Sequence, residues 1–150
     1  MTYHIEVYKA VDFHKIFPQD VQQEDLFHLA ETDWTPESME GQPHSFSWFR
    51  DDLLLGVSSV SLIWPGRAQV NLLLSENVHR IDMLFLTRQL RSYLDVLQAD
   101  RNYQRCECSV LEEFKQGHRW IKMLGFTSEG LMRSYDVSGR DHRLYARIKL

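Results

Sequence analysis

Hydrophobic and polar residues alternate with the two-residue period of β-strands from His4 to Tyr8. They alternate again at the end of the chain, as in a half-buried strand, where Leu144, Ala146, Ile148 and Leu150 are interleaved with Arg143, Tyr145, Arg147 and Lys149. Turn-forming pairs divide the rest into short segments, namely Asp51-Asp52, Pro65-Gly66 and Ser138-Gly139. The pattern therefore predicts strands from His4 to Tyr8, Ser45 to Arg50, Leu53 to Trp64, Ala68 to Leu74 and Arg105 to Val110, with a final hairpin from Met132 to Ile148.

A helical period of 3.6 residues replaces this alternation most clearly in residues 82 to 99. The apolar residues of this segment recur at the spacing of a single helix face: Met83, Leu86, Leu90, Tyr93, Leu94 and Leu97. Two shorter helices are expected near the start of the chain. Asp12 can cap the first, which would run to about Phe17, and the second would cover Val21 to Glu31 before a loop from Thr32 to Pro43.

A last helix is predicted before the final hairpin. Ser109 and Glu112 have the spacing of a capping box, so the helix should open there and continue through Met123. Gly125 suits the left-handed position just past its end. The resulting order, β-α-α-β-β-β-α-β-α-β-β, is that of a mixed α/β (α+β) fold.

Length and composition bound the architecture. A chain of 150 residues with 43% apolar content buries roughly 70% of its unfolded surface, so one domain over residues 1 to 150 needs neither disulfide nor metal. Cys106 and Cys108 are the only cysteines, and both are expected to be reduced. There is no signal-peptide core and no apolar run near the ~20 residues of a membrane span. These features favour a cytoplasmic protein.

Charge is unevenly distributed along the chain. Seven of the acids, and no Lys or Arg, lie between Ile16 and Phe49, so this segment carries −7 and the remainder +3, for a net −4. One interpretation is a solvated surface. The other is an acidic face for a basic partner or an amine, with Asp33, Glu37 and Glu40 as candidate contacts. Because no basic stripe is interleaved with aromatics, nucleic acid is not an expected partner.

The closing segment carries the most specific pattern. Leu124-Gly125-Phe126, then Glu129-Gly130, then Tyr135 resembles the C-terminal part of the GCN5-related N-acetyltransferase (GNAT) family, over about a third of the chain. The resemblance implies a mixed sheet of six to seven strands with about four helices. It also implies transfer of an acetyl group from acetyl-CoA to an amine.

This chain departs from the family at the turn that would hold the cofactor. In that family a glycine-rich turn after the fourth strand binds the pyrophosphate of acetyl-CoA through its backbone N–H groups. The corresponding turn here, Ser75 to Asp82, contains no glycine and two acids, Glu76 and Asp82. We therefore expect no cofactor. The alternative is a divergent enzyme that binds acetyl-CoA without glycines, through residues Val78, His79, Arg80 and Ile81.

The catalytic positions implied by the resemblance also differ. Ile121 occupies the place of the family's tyrosine acid, and Phe114 that of its asparagine. An enzyme would then need other groups. The candidates are Glu107 or an acid of the Asp33 to Glu40 loop as general base, and Tyr135 or Tyr145 as general acid. No arrangement of the histidines predicts a metal site.

A GNAT-like chain with such a degenerate turn is similar to the head-assembly and internal-virion assembly proteins of short-tailed phages. That resemblance implies a non-catalytic role in building the virion, possible help in incorporating DNA-ejection proteins, and virion proteins as partners. The alternatives that stay open are the divergent N-acetyltransferase and a small-molecule or peptide-binding module.

Overall fold

The computed structural model describes residues 1–19, 22–23 and 34–149, and the statements below concern these residues. Of the predicted helix from Val21 to Glu31, only residues 22 and 23 are described, and the rest of it and the candidate Asp33 lie outside the described residues. So does Leu150 at the end of the chain.

One mixed sheet contains seven strands: β1 Tyr3–Val7, β2 Ser45–Arg50, β3 Leu53–Trp64, β4 Arg67–Leu74, β5 Arg105–Leu111, β6 Thr127–Met132 and β7 His142–Ile148. Their order in the sheet is β1-β2-β3-β4-β5-β7-β6. The β4–β5 pair is parallel, whereas the β1–β2, β2–β3, β5–β7 and β6–β7 pairs are antiparallel. The predicted mixed α/β architecture is therefore confirmed.

Three α-helices lie in the described part of the chain: α1 Ala10–His14, α2 Arg80–Leu97 and α3 Lys115–Met123. Short 3-10 helices add Pro36–Met39, within the segment predicted to be a loop, and Arg101–Tyr103. The chain divides into two compact units. The first comprises Met1–Ser61 and Asn71–Met83, and the second Leu62–Val70 and Leu84–Leu150.

The core of the first unit is built around β2 and β3. Trp48 and Leu55 are buried, and the indole Nε1 of Trp48 donates a hydrogen bond to Ser58 Oγ at 2.7 Å. A Cβ atom on Gly56 would lie 2.6 Å from the backbone oxygen of Leu73. The close approach of β3 and β4 therefore requires a glycine at position 56.

Asp12 does not cap a helix as predicted. Helix α1 begins two residues earlier, after the N-cap Lys9, and ends at His14. Asp12 is buried inside it and accepts a hydrogen bond from Ser47 Oγ at 2.8 Å. The Asp12 carboxylate therefore binds Ser47, 35 residues away, instead of capping a helix as the local spacing predicted.

The core of the second unit includes the apolar face of helix α2. Leu86, Leu90, Leu94 and Leu97 are buried, as the helical period predicted. On β7 the expected half-buried alternation is wrong, because the adjacent Tyr145 and Ala146 are both buried. Each face of this strand is therefore covered at its centre.

The capping box predicted at Ser109 and Glu112 is also wrong. Strand β5 extends to Leu111, and α3 starts at Lys115 after the N-cap Phe114, without a side-chain cap. Glu112 instead forms two hydrogen bonds with Arg143 of β7, at 2.9 and 3.0 Å. Gly125 does take the predicted left-handed conformation after the helix, with φ 94°.

Both cysteines are free thiols, and burial raises the pKa of Cys106 to about 11 and that of Cys108 to about 12. They are therefore protonated and unreactive near neutral pH. Among the described residues, none of the helices combines the length and the apolar character that crossing a membrane requires.

Candidate functional site

The turn between β4 and α2 is where the resemblance to the GNAT family would place the pyrophosphate of acetyl-CoA. Five consecutive backbone N–H groups, from Ser75 to His79, donate hydrogen bonds inside the chain at 2.7 to 3.4 Å. Their acceptors are backbone oxygens of Leu55, Phe17 and Ser75, and side-chain oxygens of Ser75 and Asp82. An anion at this turn would have to break several of these bonds.

Asp82 is the centre of this turn, and its exposed fraction is 0%. Its carboxylate accepts hydrogen bonds from Tyr3 Oη at 2.8 Å, from Arg50 Nη1 at 3.0 and 3.2 Å, and from the backbone N–H of His79 at 2.8 Å. The His79 contact caps the N-terminus of α2, as an acid at the third helical position does in a capping box. We call these residues, Tyr3, Arg50, His79 and Asp82, the Asp82 cluster.

The residues of the turn do not fit a pyrophosphate held in the manner of the GNAT family. The N–H groups from Ser75 to His79 that would bind the phosphates already donate hydrogen bonds within the chain, and the buried carboxylate of Asp82 lies at the start of the helix. Both features oppose a second anion there. Of the candidate residues on the turn, His79, Arg80 and Ile81 are exposed and Val78 is half-buried.

Glu107 lies on β5 between two guanidinium groups and is 6% exposed. Arg67 Nε donates to its carboxylate at 3.1 Å and Arg105 Nε at 2.8 Å. The hydrogen bond from Arg67, and then that from Arg105, hold the pKa of Glu107 below its ordinary value. A carboxylate stabilised in this way is a weak proton acceptor, so the geometry gives little support to Glu107 as a general base.

Tyr135 lies in the loop between β6 and β7, not on a strand, and is 50% exposed. Its ring is 5.0 Å from the ring of His142. Glu107 contacts Arg67 and Arg105 instead. The two candidate catalytic residues thus contact different side chains.

Two of the three acids proposed to meet a basic partner, Glu37 and Glu40, have contacts within the chain. Glu37 Oε1 lies 3.1 Å from His14 Nε2, and this hydrogen bond lowers the pKa of Glu37. Glu40 Oε1 accepts a 2.6 Å hydrogen bond from the backbone N–H of Ala10, at the start of α1. These two acids therefore tie the Pro36–Met39 segment to α1, whatever else they contact.

A pocket of about 290 Å³ in the second unit was not predicted. Its lining residues are Glu112, His118, Lys122, Ser128, Arg143 and Tyr145. His118 Nδ1 lies 2.7 Å from Tyr145 Oη, and His118 Nε2 lies 2.9 Å from the backbone oxygen of Glu112. The pairing of His118 with Tyr145 spans 27 residues, and no local pattern indicates it.

The hydrogen bonds of His118 fix the tautomer of its neutral ring. A carbonyl oxygen can only accept, so Nε2 carries the proton toward Glu112 and Nδ1 accepts from the Tyr145 hydroxyl. Burial raises the pKa of Tyr145, which keeps that hydroxyl protonated near neutral pH. The pocket therefore presents a fixed phenol and imidazole beside the Glu112–Arg143 ion pair.

The two positions that differ from the family's catalytic residues are apolar in their surroundings too. Ile121 is buried on α3. The ring of Phe114 lies against Gly117, where an added Cβ would be 2.5 Å from it. No group of three or more potential metal ligands occurs within the described ranges of the chain.

Comparison with solved structures shows that the chain has the fold of the GNAT acetyltransferases. Ard1 from Thermoplasma volcanium matches it with a TM-score of 0.74, over 100% of this chain and 99% of that one, at 15% identity. A Bacillus subtilis acetyltransferase in complex with CoA matches with a TM-score of 0.66, over 99% and 100%, at 12% identity.

A third similar structure is the ribosomal-protein-S18-alanine N-acetyltransferase from Escherichia coli, with a TM-score of 0.64 over 98% of this chain and 94% of that one, at 15% identity. No protein-family model and no curated protein matches the chain. At these identities the likeness establishes the fold alone, and the fold predicted from the closing segment is confirmed.

Proposed function

We propose that this chain uses the GNAT fold to bind a protein partner and does not bind acetyl-CoA at its β4–α2 turn. The supporting observation is that the five N–H groups from Ser75 to His79 already donate hydrogen bonds within the chain, and that the His79 N–H donates to the carboxylate of Asp82. The candidate partner-binding residues are Asp33, Glu37 and Glu40, from the acidic segment.

Virion assembly is the finer form of this proposal, and its support is the sequence resemblance to phage assembly proteins. It can be tested in a phage that carries the gene. Deleting the gene should give particles that lack one or more ejection proteins on a denaturing gel. Glu107→Gln and Tyr135→Phe variants should restore them as well as the wild type does, because assembly requires no catalysis. Complete particles from the deletion strain would contradict the assembly role.

An acetyl-CoA-dependent N-acetyltransferase acting on an amine is the second candidate. The similar solved structures are acetyltransferases that match nearly the whole chain, and by themselves they favour this candidate over the assembly role. Its cofactor contacts would be Val78, His79, Arg80 and Ile81, with Glu107 and Tyr135 in the catalytic roles. The charge of Arg80 would then have to replace the backbone cradle.

Isothermal titration of the purified chain with acetyl-CoA separates the two candidates. We expect no heat of binding at millimolar cofactor. A dissociation constant below about 100 μM, some 5.5 kcal/mol, would establish the enzyme. In that case Arg80→Ala should weaken binding at least tenfold. Arg88→Ala, an exposed arginine on the same helix, should leave binding unchanged as the matched control.

A further inference from the structure

Side chains from helix α3 and from strands β6 and β7 enclose the pocket of about 290 Å³ in the second unit. On the strands, Ser128 pairs directly with Tyr145, and Arg143 lies two residues before Tyr145, so all three side chains project from the same face of the sheet. On the helix, His118 and Lys122 are four residues apart and face the pocket together. The pocket is therefore a cleft between α3 and the strand pair at the edge of the sheet.

The opposite side of α3 has a different neighbour. Trp120 is two residues from both His118 and Lys122, about 200° around the helix axis. Its indole Nε1 donates a 2.7 Å hydrogen bond to Thr87 Oγ1 of helix α2. One side of α3 thus contacts another helix, and the pocket lies on the side that faces the strands.

Many polar groups of the pocket wall are already paired with each other. His118 donates to the backbone oxygen of Glu112 and accepts from the Tyr145 hydroxyl. Arg143 Nε and Nη2 donate to the two carboxylate oxygens of Glu112, at 3.0 and 2.9 Å, and these bonds hold the guanidinium in one orientation. The wall is therefore arranged before a ligand enters, which lowers the cost of binding.

Three groups of the lining still have hydrogens to donate. The side chain of Lys122 has no hydrogen bond or ion pair with any residue that the structure describes. Arg143 Nη1 makes a long contact of 3.4 Å with Ser128 Oγ, in which the serine oxygen is the acceptor. The hydroxyl proton of Ser128 therefore remains available to a further acceptor. An ammonium, a guanidinium nitrogen and a hydroxyl together favour a ligand that accepts hydrogen bonds.

The charges of the lining favour a ligand with a single negative charge. Lys122 and Arg143 are positive and Glu112 is negative, so one positive charge is left uncompensated when the His118 ring is neutral. Donors beside an uncompensated positive charge bind an oxyanion through charge-assisted hydrogen bonds. The pocket volume of about 290 Å³ is at the small end of the range of ligand sites.

We propose that this pocket binds a small organic carboxylate, held by the Lys122 ammonium, the Ser128 hydroxyl and Arg143 Nη1. The proposal goes beyond the proposed function, because it requires neither a protein partner nor acetyl-CoA. The acetyl-CoA titration described above tests the proposed function separately, so the failure of one does not imply the failure of the other.

Glycolate is the probe, and glycolamide, which has nearly the same size and no charge, is the matched control compound. Each is titrated at millimolar concentrations and constant ionic strength into the isotope-labelled chain, and the amide signals are followed by NMR. We expect glycolate to shift the signals of Lys122 and Ser128 to saturation and glycolamide to leave them in place. Equal shifts with the two compounds, or no saturable shift with glycolate, would overturn the proposal.

Variants of exposed residues locate the binding. Lys122→Met removes the ammonium from an exposed side chain and should weaken glycolate binding by about tenfold or more without affecting folding. Ser128→Ala should weaken it by a smaller factor. Arg119→Met removes an exposed cation of the same helix that does not line the pocket, and it should leave the affinity unchanged. Equal weakening by Lys122→Met and Arg119→Met would contradict the proposal, because glycolate would then respond only to the overall charge.

Inorganic phosphate tests the assignment to a carboxylate. In its dianionic form it should bind more weakly than glycolate, because its second negative charge would lie near Glu112 without a positive charge to compensate it. Tighter binding of phosphate than of glycolate would overturn the assignment to the carboxylate class.

Discussion

Two carboxylate–guanidinium pairs in this chain have the same chemistry and opposite surroundings. In the Asp82 cluster the side chains of Asp82 and Arg50 are 0% and 17% exposed. In the pocket of the second unit the side chains of Glu112 and Arg143 are 35% and 31% exposed. The first pair is closed to solvent by its own hydrogen bonds, whereas the second borders an open pocket. Burial thus distinguishes the Asp82–Arg50 pair, which lies inside the protein, from the Glu112–Arg143 pair, which solvent reaches.

This difference bears directly on function. The turn at which the GNAT resemblance places a cofactor is the one where the backbone N–H groups from Ser75 to His79 already donate hydrogen bonds within the chain. The pocket beside His118 and Tyr145 presents polar groups to solvent, at residues that the resemblance does not single out. Family likeness therefore located the fold better than it located the available surface.

The largest expected effect comes from opening the buried pair. Asp82→Ala removes the carboxylate that accepts hydrogen bonds from Arg50, from Tyr3 and from the His79 N–H. We expect it to lower the free energy of unfolding by about 3–5 kcal/mol, measured by urea denaturation. The double replacement Arg50→Met with Asp82→Leu should cost less, because it leaves no buried charge unpaired. A single variant as stable as the wild type would show that the cluster is not closed.

The hydrogen bond of the pocket should have a smaller effect. Tyr145→Phe removes the hydroxyl that donates to His118 Nδ1, and we expect a loss of about 1 kcal/mol in urea denaturation. Tyr135→Phe is the matched control, because Tyr135 is exposed, and it should change stability little. Equal effects of the two variants would mean that the hydrogen bond seen between His118 and Tyr145 contributes nothing.

Acid titration tests a pair of intermediate burial. Asp136, with its side chain 13% exposed, contacts Arg140 and His142. Burial alone raises the pKa of Asp136, but the hydrogen bonds from His142 and Arg140 outweigh it and hold the pKa at about 2 instead of 3.8. Its contribution to stability is therefore complete above about pH 4 and is lost as the pH falls through 2.

The Asp136→Asn variant should accordingly lose less stability than the wild type between pH 5 and pH 2, followed by chemical denaturation at each pH. Parallel pH profiles for the two proteins would show that the contacts of Asp136 do not favour its ionised form.

The exposed pair should give the smallest effect. Glu112→Gln keeps the side chain's shape and removes its charge, and solvent already screens the bond to Arg143. We expect its denaturation midpoint to stay close to that of the wild type, while Asp82→Asn, the same chemical change at the buried pair, moves it clearly. If both variants move equally, burial is not what distinguishes the pairs.

The sequence predicted those elements whose signal is local. The apolar segment from Leu53 to Trp64 and the helical spacing of Leu86, Leu90 and Leu94 each lie within a single strand or helix, and both elements are present. The left-handed conformation of Gly125 was likewise predicted from the adjacent residues alone, and it is present. The expected phage context is of another kind, since it came from resemblance and stays a prediction.

The predictions that failed depended on distant partners. The caps assigned to Asp12 and Glu112 were wrong because Ser47 and Arg143, 35 and 31 residues away, take those carboxylates. The Asp82 cluster joins residues 79 and 32 positions apart. The turn's acids were recognised in the sequence as unfavourable for a pyrophosphate, but the donors that hold Asp82 could be found only in three dimensions.

At the capped N-terminus of helix α2, the Asp82 carboxylate and a free anion would compete for the same hydrogen-bond donors. A carboxylate attached to the helix it caps acts as a tethered ligand, and a tethered ligand has a high effective concentration that dilution cannot lower. The effective concentration of a group on a short flexible tether is of the order of ~mM, and a free phosphate compound at this turn would have to compete with the carboxylate at that level. On the proposed function, the carboxylate of Asp82 is therefore an intramolecular competitor for any anion at this turn.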